Sequence, residues 1–172
     1  NAPNRASEER YGGQRYRPGV PPRWIYDAFY RVGAPWDIGP RRELVDLVAA
    51  GWISPSRLPP GRAVDLGCGT GANALHLATA GFDVTGVDFS RVALAKAVAN
   101  ARSVGAGVDR VRWVRGDLTA EAIPGADGPF DLLVDCCVID DMRPARRPAA
   151  ARTMARLARP GAQLFLWCFY DN

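Results

Sequence analysis

Lysine is nearly missing from this chain: Lys96 stands alone beside twenty-one arginines. The arginines are scattered, and their densest group, Arg143, Arg146 and Arg147, is short. The net charge of +4 therefore reads as a solvated surface, with no nucleic-acid partner expected. No apolar run approaches the roughly 18 to 20 residues of a membrane span, so no membrane partner is expected either. Histidine occurs once, as His76 in ANALHLATA, and its place more than a turn into a helical pattern makes it a structural residue rather than a base. The four cysteines, Cys68, Cys136, Cys137 and Cys168, sit in apolar segments without C-x-x-C spacing, which excludes zinc and disulfide frameworks. Asn1 to Arg10 lacks the charged-then-apolar plan of a signal peptide, and there is no initiator Met. The expectation is a cytoplasmic protein with further residues upstream.

What is present is a globular composition, 48% hydrophobic and 23% charged, on 172 residues, about the size of one domain. Residues 1–22 are polar and carry Pro18, Pro21 and Pro22, so they read as an arm. Helical spacing follows over Arg23 to Val32 and Pro40 to Ala50. From residue 61, short apolar runs alternate with helical patterns, the mark of β-α-β units. The predicted strands are Ala63 to Leu66, Asp83 to Val87, Val111 to Arg115, Phe130 to Cys136 and Gln163 to Phe169. The predicted helices are Ala72 to Ala80, Arg91 to Val104 and Ala145 to Leu157. LLVDCCVI and LFLWCF are continuously apolar, as in strands covered on both faces. The fold class is α/β, a Rossmann-like open, mainly parallel sheet flanked by helices. A last strand as apolar as LFLWCFY leaves an edge that needs further strands or a partner, such as a second copy in a homodimer.

The chemistry lies in VDLGCGTGANALHLA, residues 64–78. Gly67, Gly69 and Gly71 remove side chains where strand turns to helix, opening backbone N–H groups and a helix N-terminus to a polar ligand. Asp88 closes the second strand 21 positions after Gly67, where a carboxylate can accept both hydroxyls of a ribose. GCGTGA also satisfies the dinucleotide pattern, so a nicotinamide-dinucleotide reductase stays an alternative at this point. Asp65, two residues before the first glycine, suits a cofactor carrying ammonium and sulfonium charge and would repel a pyrophosphate. Asp117, in RGDLT, stands where a carboxylate can accept from an exocyclic amine such as that of adenine. Lys96 has Val92 four residues before it, so the Tyr-x-x-x-Lys pair of short-chain reductases has no counterpart.

In that order and spacing, DLGCGTG, VTGVDFS, GDLT and FDLLVD resemble the class I S-adenosylmethionine-dependent methyltransferases over residues 61–171. WIYDAFYRVGAPWDIGPRRELVDLVAAG and LFLWCFYD look like the thiopurine and tellurite-resistance branch, which acts on small molecules. The resemblance implies a cofactor, S-adenosyl-L-methionine, leaving as S-adenosyl-L-homocysteine, and a chain that lacks the family's last two strands. It implies that residues 1–60 form a lid and residues 61–172 the cofactor domain. Gly67, Cys68, Gly69 and Gly71 would line the methionine part, with Asp65 supporting loop and ammonium. Asp88 would hold the ribose, Phe89 would lie against the adenine, and Asp117 and Leu118 would meet its amine and ring. Asp135 and Cys136 would border the methyl group, with Trp36 in contact with the cofactor.

A sulfonium methyl is a strong electrophile, so the protein mainly aligns an acceptor and excludes water, which can supply roughly 7 to 11 kcal/mol of a barrier. A base is needed only for an acceptor protonated at neutral pH. The candidates are Tyr16, with Tyr11, on the arm, then Tyr30, and Asp140 with Asp141, whose bland role is a helix cap. Cys136 and Cys137 lack the Pro-Cys context of covalent cytosine methylation and read as strand residues. Asp135 with Asp171 and Asn172 only loosely matches a catechol-type metal site, so no metal is expected. The N-P-P-Y motif of DNA amino-methylation is absent, so the expected acceptor is a small molecule attacked at oxygen or sulfur. A cofactor-binding module without catalysis is the third reading.

Overall fold

The computed structural model describes residues 23–105 and 108–168. Five parallel strands, β1 (Arg62–Leu66), β2 (Asp83–Asp88), β3 (Val111–Arg115), β4 (Phe130–Cys136) and β5 (Ala158–Trp167), form one sheet in the order β3-β2-β1-β4-β5. The helices are α1 (Arg23–Val32), α2 (Arg42–Ala49), α3 (Ala72–Thr79), α4 (Arg91–Val104), the short α5 (Val138–Asp141) and α6 (Arg147–Leu157).

Alternation along the strands divides the core in two. Val64, Leu66 and Leu133 point to one face and pack with Met154 and Leu157 of α6. Ala63, Leu132 and Val134 point to the other, with Leu44 of α2 and Leu77 of α3. Covered on both sides, β4 can be apolar almost throughout, as its sequence requires. Its one buried exception at the start, Asp131, accepts the N–H groups of Gly61 (3.0 Å) and Arg62 (2.7 Å) and pairs with Arg159, fixing the entry into β1.

The sequence reading needs three corrections. β5 begins at Ala158, five residues before Gln163: the unremarkable Ala-Arg-Pro-Gly stretch runs extended beside Phe130 through an irregular register, which an edge strand tolerates. The predicted helix from Ala145 opens as a 3₁₀ turn, Pro144–Arg146, and becomes α-helical only at Arg147, with proline in its first turn. α2 starts at Arg42 rather than Pro40. Phe169, the predicted end of β5, lies outside the described residues. The apolar edge is present: Leu164 is 52% and Leu166 49% exposed on β5. Among the described residues no helix is long and apolar enough to cross a membrane.

Candidate active site

The sheet order reverses between β1 and β4, and in open parallel sheets that switch opens a crevice at the strands' carboxyl ends. There the chain after β1 turns on three glycines with left-handed backbone, Gly67 (φ 72°), Gly69 (φ 55°) and Gly71 (φ 88°). Close approach constrains them as much as torsion does. A Cβ on Gly67 would lie 2.1 Å from Val138 Cγ2, and one on Gly69 would lie 2.9 Å from the Tyr30 hydroxyl. The loop is tied to β2 by the N–H groups of Gly67 (2.7 Å) and Cys68 (2.9 Å), which donate to the Val87 carbonyl.

Three carboxylates converge on this loop. Asp88 accepts the Gly69 N–H at 2.9 Å and the Ser90 N–H at 2.7 Å, and Ser90 caps α4 by accepting from Ala93 at 3.1 Å. Burial raises its carboxyl above the ordinary range against those bonds. Asp135 accepts the N–H groups of Val138 (2.9 Å) and Ile139 (3.2 Å), holding α5 against the loop, and burial pushes its carboxyl up to about 6. Asp65 is the most enclosed, 1% exposed. Its Oδ2 has no hydrogen-bond partner, and burial, opposed by the Ala74 N–H and reinforced by Asp88 and Asp135, pushes it up to about 7. A buried acid with one idle oxygen invites a cation. The residues thus fit a cofactor bearing an ammonium group: Asp65 opposite the charge, the glycine cradle beneath it, and Asp88 with oxygens directed to the loop.

The segment before the sheet closes over this crevice. Asp27 of α1 accepts from the Ser90 hydroxyl, and Asp37 accepts from Thr70 Oγ1. Trp36 donates to the Tyr30 hydroxyl at 3.1 Å, and its ring meets Tyr26, Phe29 and Tyr30 edge-on. Phe89 takes Tyr26 edge-on at 5.4 Å and the Arg23 guanidinium at 5.3 Å. The cleft so enclosed holds about 70 Å³ between Tyr30, Trp36, Arg41, Cys68, Asn73 and Cys136. A larger cavity of about 320 Å³, between α2 and the edge of β5, is lined by Leu47, Trp52, Ile53, Leu132, Gln163, Leu164 and Phe165. With no acid, base or thiol on its wall it is a packing groove rather than a chemical site.

Of the residues singled out from sequence, Trp36, Asp65, Gly67, Cys68, Gly69, Gly71, Asp88, Phe89, Asp135 and Cys136 gather around or beside the cleft. Asp117 stands farther along the strand ends, engaged by Arg23, by Arg146 at 3.0 Å and by Thr119. Burial disfavours its charge, but those donors outweigh it and hold its carboxyl below the usual range. Leu118 beside it is buried. Asp140 and Asp141 lie inside α5 and do not cap the helix that follows, where Arg143 takes the capping position of the 3₁₀ turn and Arg146 that of α6. Burial pushes the thiols of Cys136 and Cys137 up to about 12, so neither is a ready thiolate. His76 sits on α3, its imidazole driven toward the neutral form by burial. Tyr11, Tyr16, Asp171 and Asn172 lie outside the described residues. Sequence reasoning did not single out Asp37, Arg41, Thr70 or Asn73, because their contacts cross thirty or more positions and leave no local pattern.

The profile of the methyltransferase domain family matches residues 63–161. This chain belongs to that family. Its sheet is the class I methyltransferase sheet. The chain is 31% identical over 138 residues to the 2-heptyl-1-hydroxyquinolin-4(1H)-one methyltransferase of Mycobacteroides abscessus, covering 78% of this chain and 56% of that one. It is 32% identical over 140 residues to thiocyanate methyltransferase 1 of Brassica oleracea, covering 76% and 54%. Among solved structures, one described under the conversion of a disulfide bond into a thioacetal group during echinomycin biosynthesis superposes with a TM-score of 0.69 at 34% identity, covering 82% of this chain and 58% of that one. The glycopeptide N-methyltransferase MtfA with S-adenosyl-L-methionine superposes with a TM-score of 0.60 at 22% identity, covering 75% and 54%, a likeness of fold alone. The chain spans about half the length of the curated relatives it matches.

Proposed function

We propose that the protein binds S-adenosyl-L-methionine over the glycine loop and methylates a small-molecule acceptor at sulfur or oxygen, releasing S-adenosyl-L-homocysteine. The observation that carries this reading is the idle Oδ2 of Asp65, buried beneath three left-handed glycines and pushed toward protonation. A cationic amine there would supply the missing partner and restore the ionised carboxylate. When bound, the cofactor supplies an electrophilic methyl group for in-line displacement by an acceptor lone pair.

The chain's own residues then have separate tasks. Asp65 holds the ammonium, Asp88 the ribose hydroxyls, Phe89 lies against the adenine, Leu118 offers its backbone N–H to the ring, and Asp117 takes the amine once released from Arg23 and Arg146. Asp135 and Cys136 form the wall at the transfer position. The segment from α1 to Trp36, together with the arm carrying Tyr16, acts as the lid that excludes water. For an acceptor that must lose a proton, Asp140 would be the base. Relatives named for thiocyanate and for thioacetal formation favour sulfur as the attacked atom.

Calorimetry of the protein with S-adenosyl-L-methionine, S-adenosyl-L-homocysteine and NADH tests the cofactor. Binding of the first two, lost in Asp65→Ala, is expected. Binding of NADH alone would sink the reading. Labelled methyl transfer into a metabolite extract then identifies the acceptor.

A further inference from the structure

One cation on the cleft wall has no role in the reading above. Arg41 precedes α2, and its backbone N–H donates to Asn73 Oδ1 at 2.8 Å, so the residue is pinned to the helix that follows the glycine loop. Asn73 in turn approaches Cys136 Sγ with its amide at 3.4 Å. The Arg41 guanidinium lies 4.0 Å above the ring of Trp167, at the carboxyl end of β5. It is half-buried and lines the cleft with Cys136. Its field also bears on the thiols of Cys136 and Cys137, lowering both against the dominant effect of burial.

Arg41 shares the cleft with Gly67, Cys68 and Gly69 of the glycine loop, but its ring contact, Trp167, belongs to the far side of the sheet switch. The glycine loop, Asp65 and Asp88 lie on the β1–β2 side of the switch. Trp167 and Cys136 end β5 and β4 on the other side, where an acceptor meets the transfer position. The carboxylate of a cofactor over the loop has the positive end of α3 to meet it. A guanidinium held over an indole has a planar fork of N–H groups, which matches the paired oxygens of a carboxylate or the lone pairs of a thiolate.

We propose that Arg41 is an acceptor-recognition residue: it binds a small anionic acceptor, a thiolate or carboxylate, at the β4–β5 side of the cleft. This rests on the methyltransferase reading. An anion held there already carries its nucleophilic lone pair, so no general base is needed.

The test uses the protein with Arg41→Gln and Arg41→Lys, saturated with S-adenosyl-L-homocysteine. Benzoate and its neutral counterpart benzamide are titrated by calorimetry, and thiophenolate is supplied as acceptor in a parallel assay with S-adenosyl-L-methionine. The expected result is that Arg41→Gln weakens benzoate binding about tenfold or more, leaves benzamide and S-adenosyl-L-homocysteine within about threefold, and raises KM for thiophenolate more than it lowers kcat. Arg41→Lys is expected to keep part of the benzoate affinity, as a charge without the planar fork. Absence of benzoate binding to the parent, or equal loss of benzoate and benzamide, overturns the proposal. An equal fall in S-adenosyl-L-homocysteine affinity overturns it too, because it assigns the guanidinium to the cofactor's carboxylate. Failure of the parent to bind S-adenosyl-L-homocysteine sinks the cofactor reading instead.

Discussion

Gly67 shows how tightly single positions are specified. Its φ of 72° and the 2.1 Å approach that a Cβ would make to Val138 Cγ2 act together. Gly67→Ala is expected to cost about 2 to 4 kcal/mol from left-handed strain and overpacking. Chemical denaturation measures the loss. Adding Val138→Ala should recover the packing part and leave the backbone part, so a double variant as unstable as the single one would contradict the contact. Asp65 carries a different kind of specification, since its side chain is a liability until a cation arrives. Asp65→Asn removes the charge at nearly constant volume and is expected to lower cofactor affinity about tenfold or more while leaving the ligand-free protein as stable or more so at pH 8. Calorimetry and thermal melting, read on the same sample, separate the two effects.

At the scale of elements, α1 is held over the crevice by a small apolar cluster, Tyr26 and Tyr30 with Val92 and Ala93 of α4, and by polar side-chain ties. Asp27 reaches Ser90, Arg23 reaches Asp117 and Phe89, and Tyr30 sits over Gly69. The 70 Å³ left beneath is well short of the roughly 300 to 1,000 Å³ of ordinary ligand pockets, and on the proposed cofactor reading α1 swings away to admit a nucleoside. Arg23→Ala should therefore raise the association rate about two- to fivefold, the scale of an exposed ion pair, as measured by stopped-flow fluorescence. An unchanged rate would mean that α1 does not gate the site. The sheet was legible in the sequence because β1 to β4 carry dense apolar runs bounded by glycine or aspartate, and their structural limits agree within about a residue. The start of β5 was not, since Ala158 pairs with Phe130 and the next partner is Gln163, across an irregular stretch whose Arg159, Pro160 and Gly161 carry no apolar signature. Glycine loop and strand-end aspartates could be read from spacing alone. Tyr30 and Trp36 stand out as candidates in the sequence, but the contacts of Asp37 and Arg41 could not be read, because they depend on how α1 and α2 fold back.

For the whole molecule, the buried acids set a pH dependence. Asp65, pushed up to about 7, and Asp135, pushed up to about 6, hold protons in the folded state that the unfolded chain has already released. Between roughly pH 4 and 7 the native state thus binds more protons, and stability falls as pH rises through that window. His76, neutralised by burial, acts in the opposite sense near its ordinary value, and Asp117 contributes only at acid pH, where protonation removes its stabilisation. The melting temperature of the ligand-free protein should therefore decline from pH 5 to pH 7.5, and Asp65→Asn should flatten that decline. A slope identical in parent and variant would refute the assignment. Asp88 has a consequence of another kind. One carboxylate receives the Gly69 and Ser90 N–H groups, and Ser90 passes the tether on to Asp27 of α1. Loop, helix cap and overlying helix form a train in which a ligand that tugs Asp88 also moves α1. On the proposed reading, contact of a sugar hydroxyl with Asp88 would pass as a mechanical signal to the entrance.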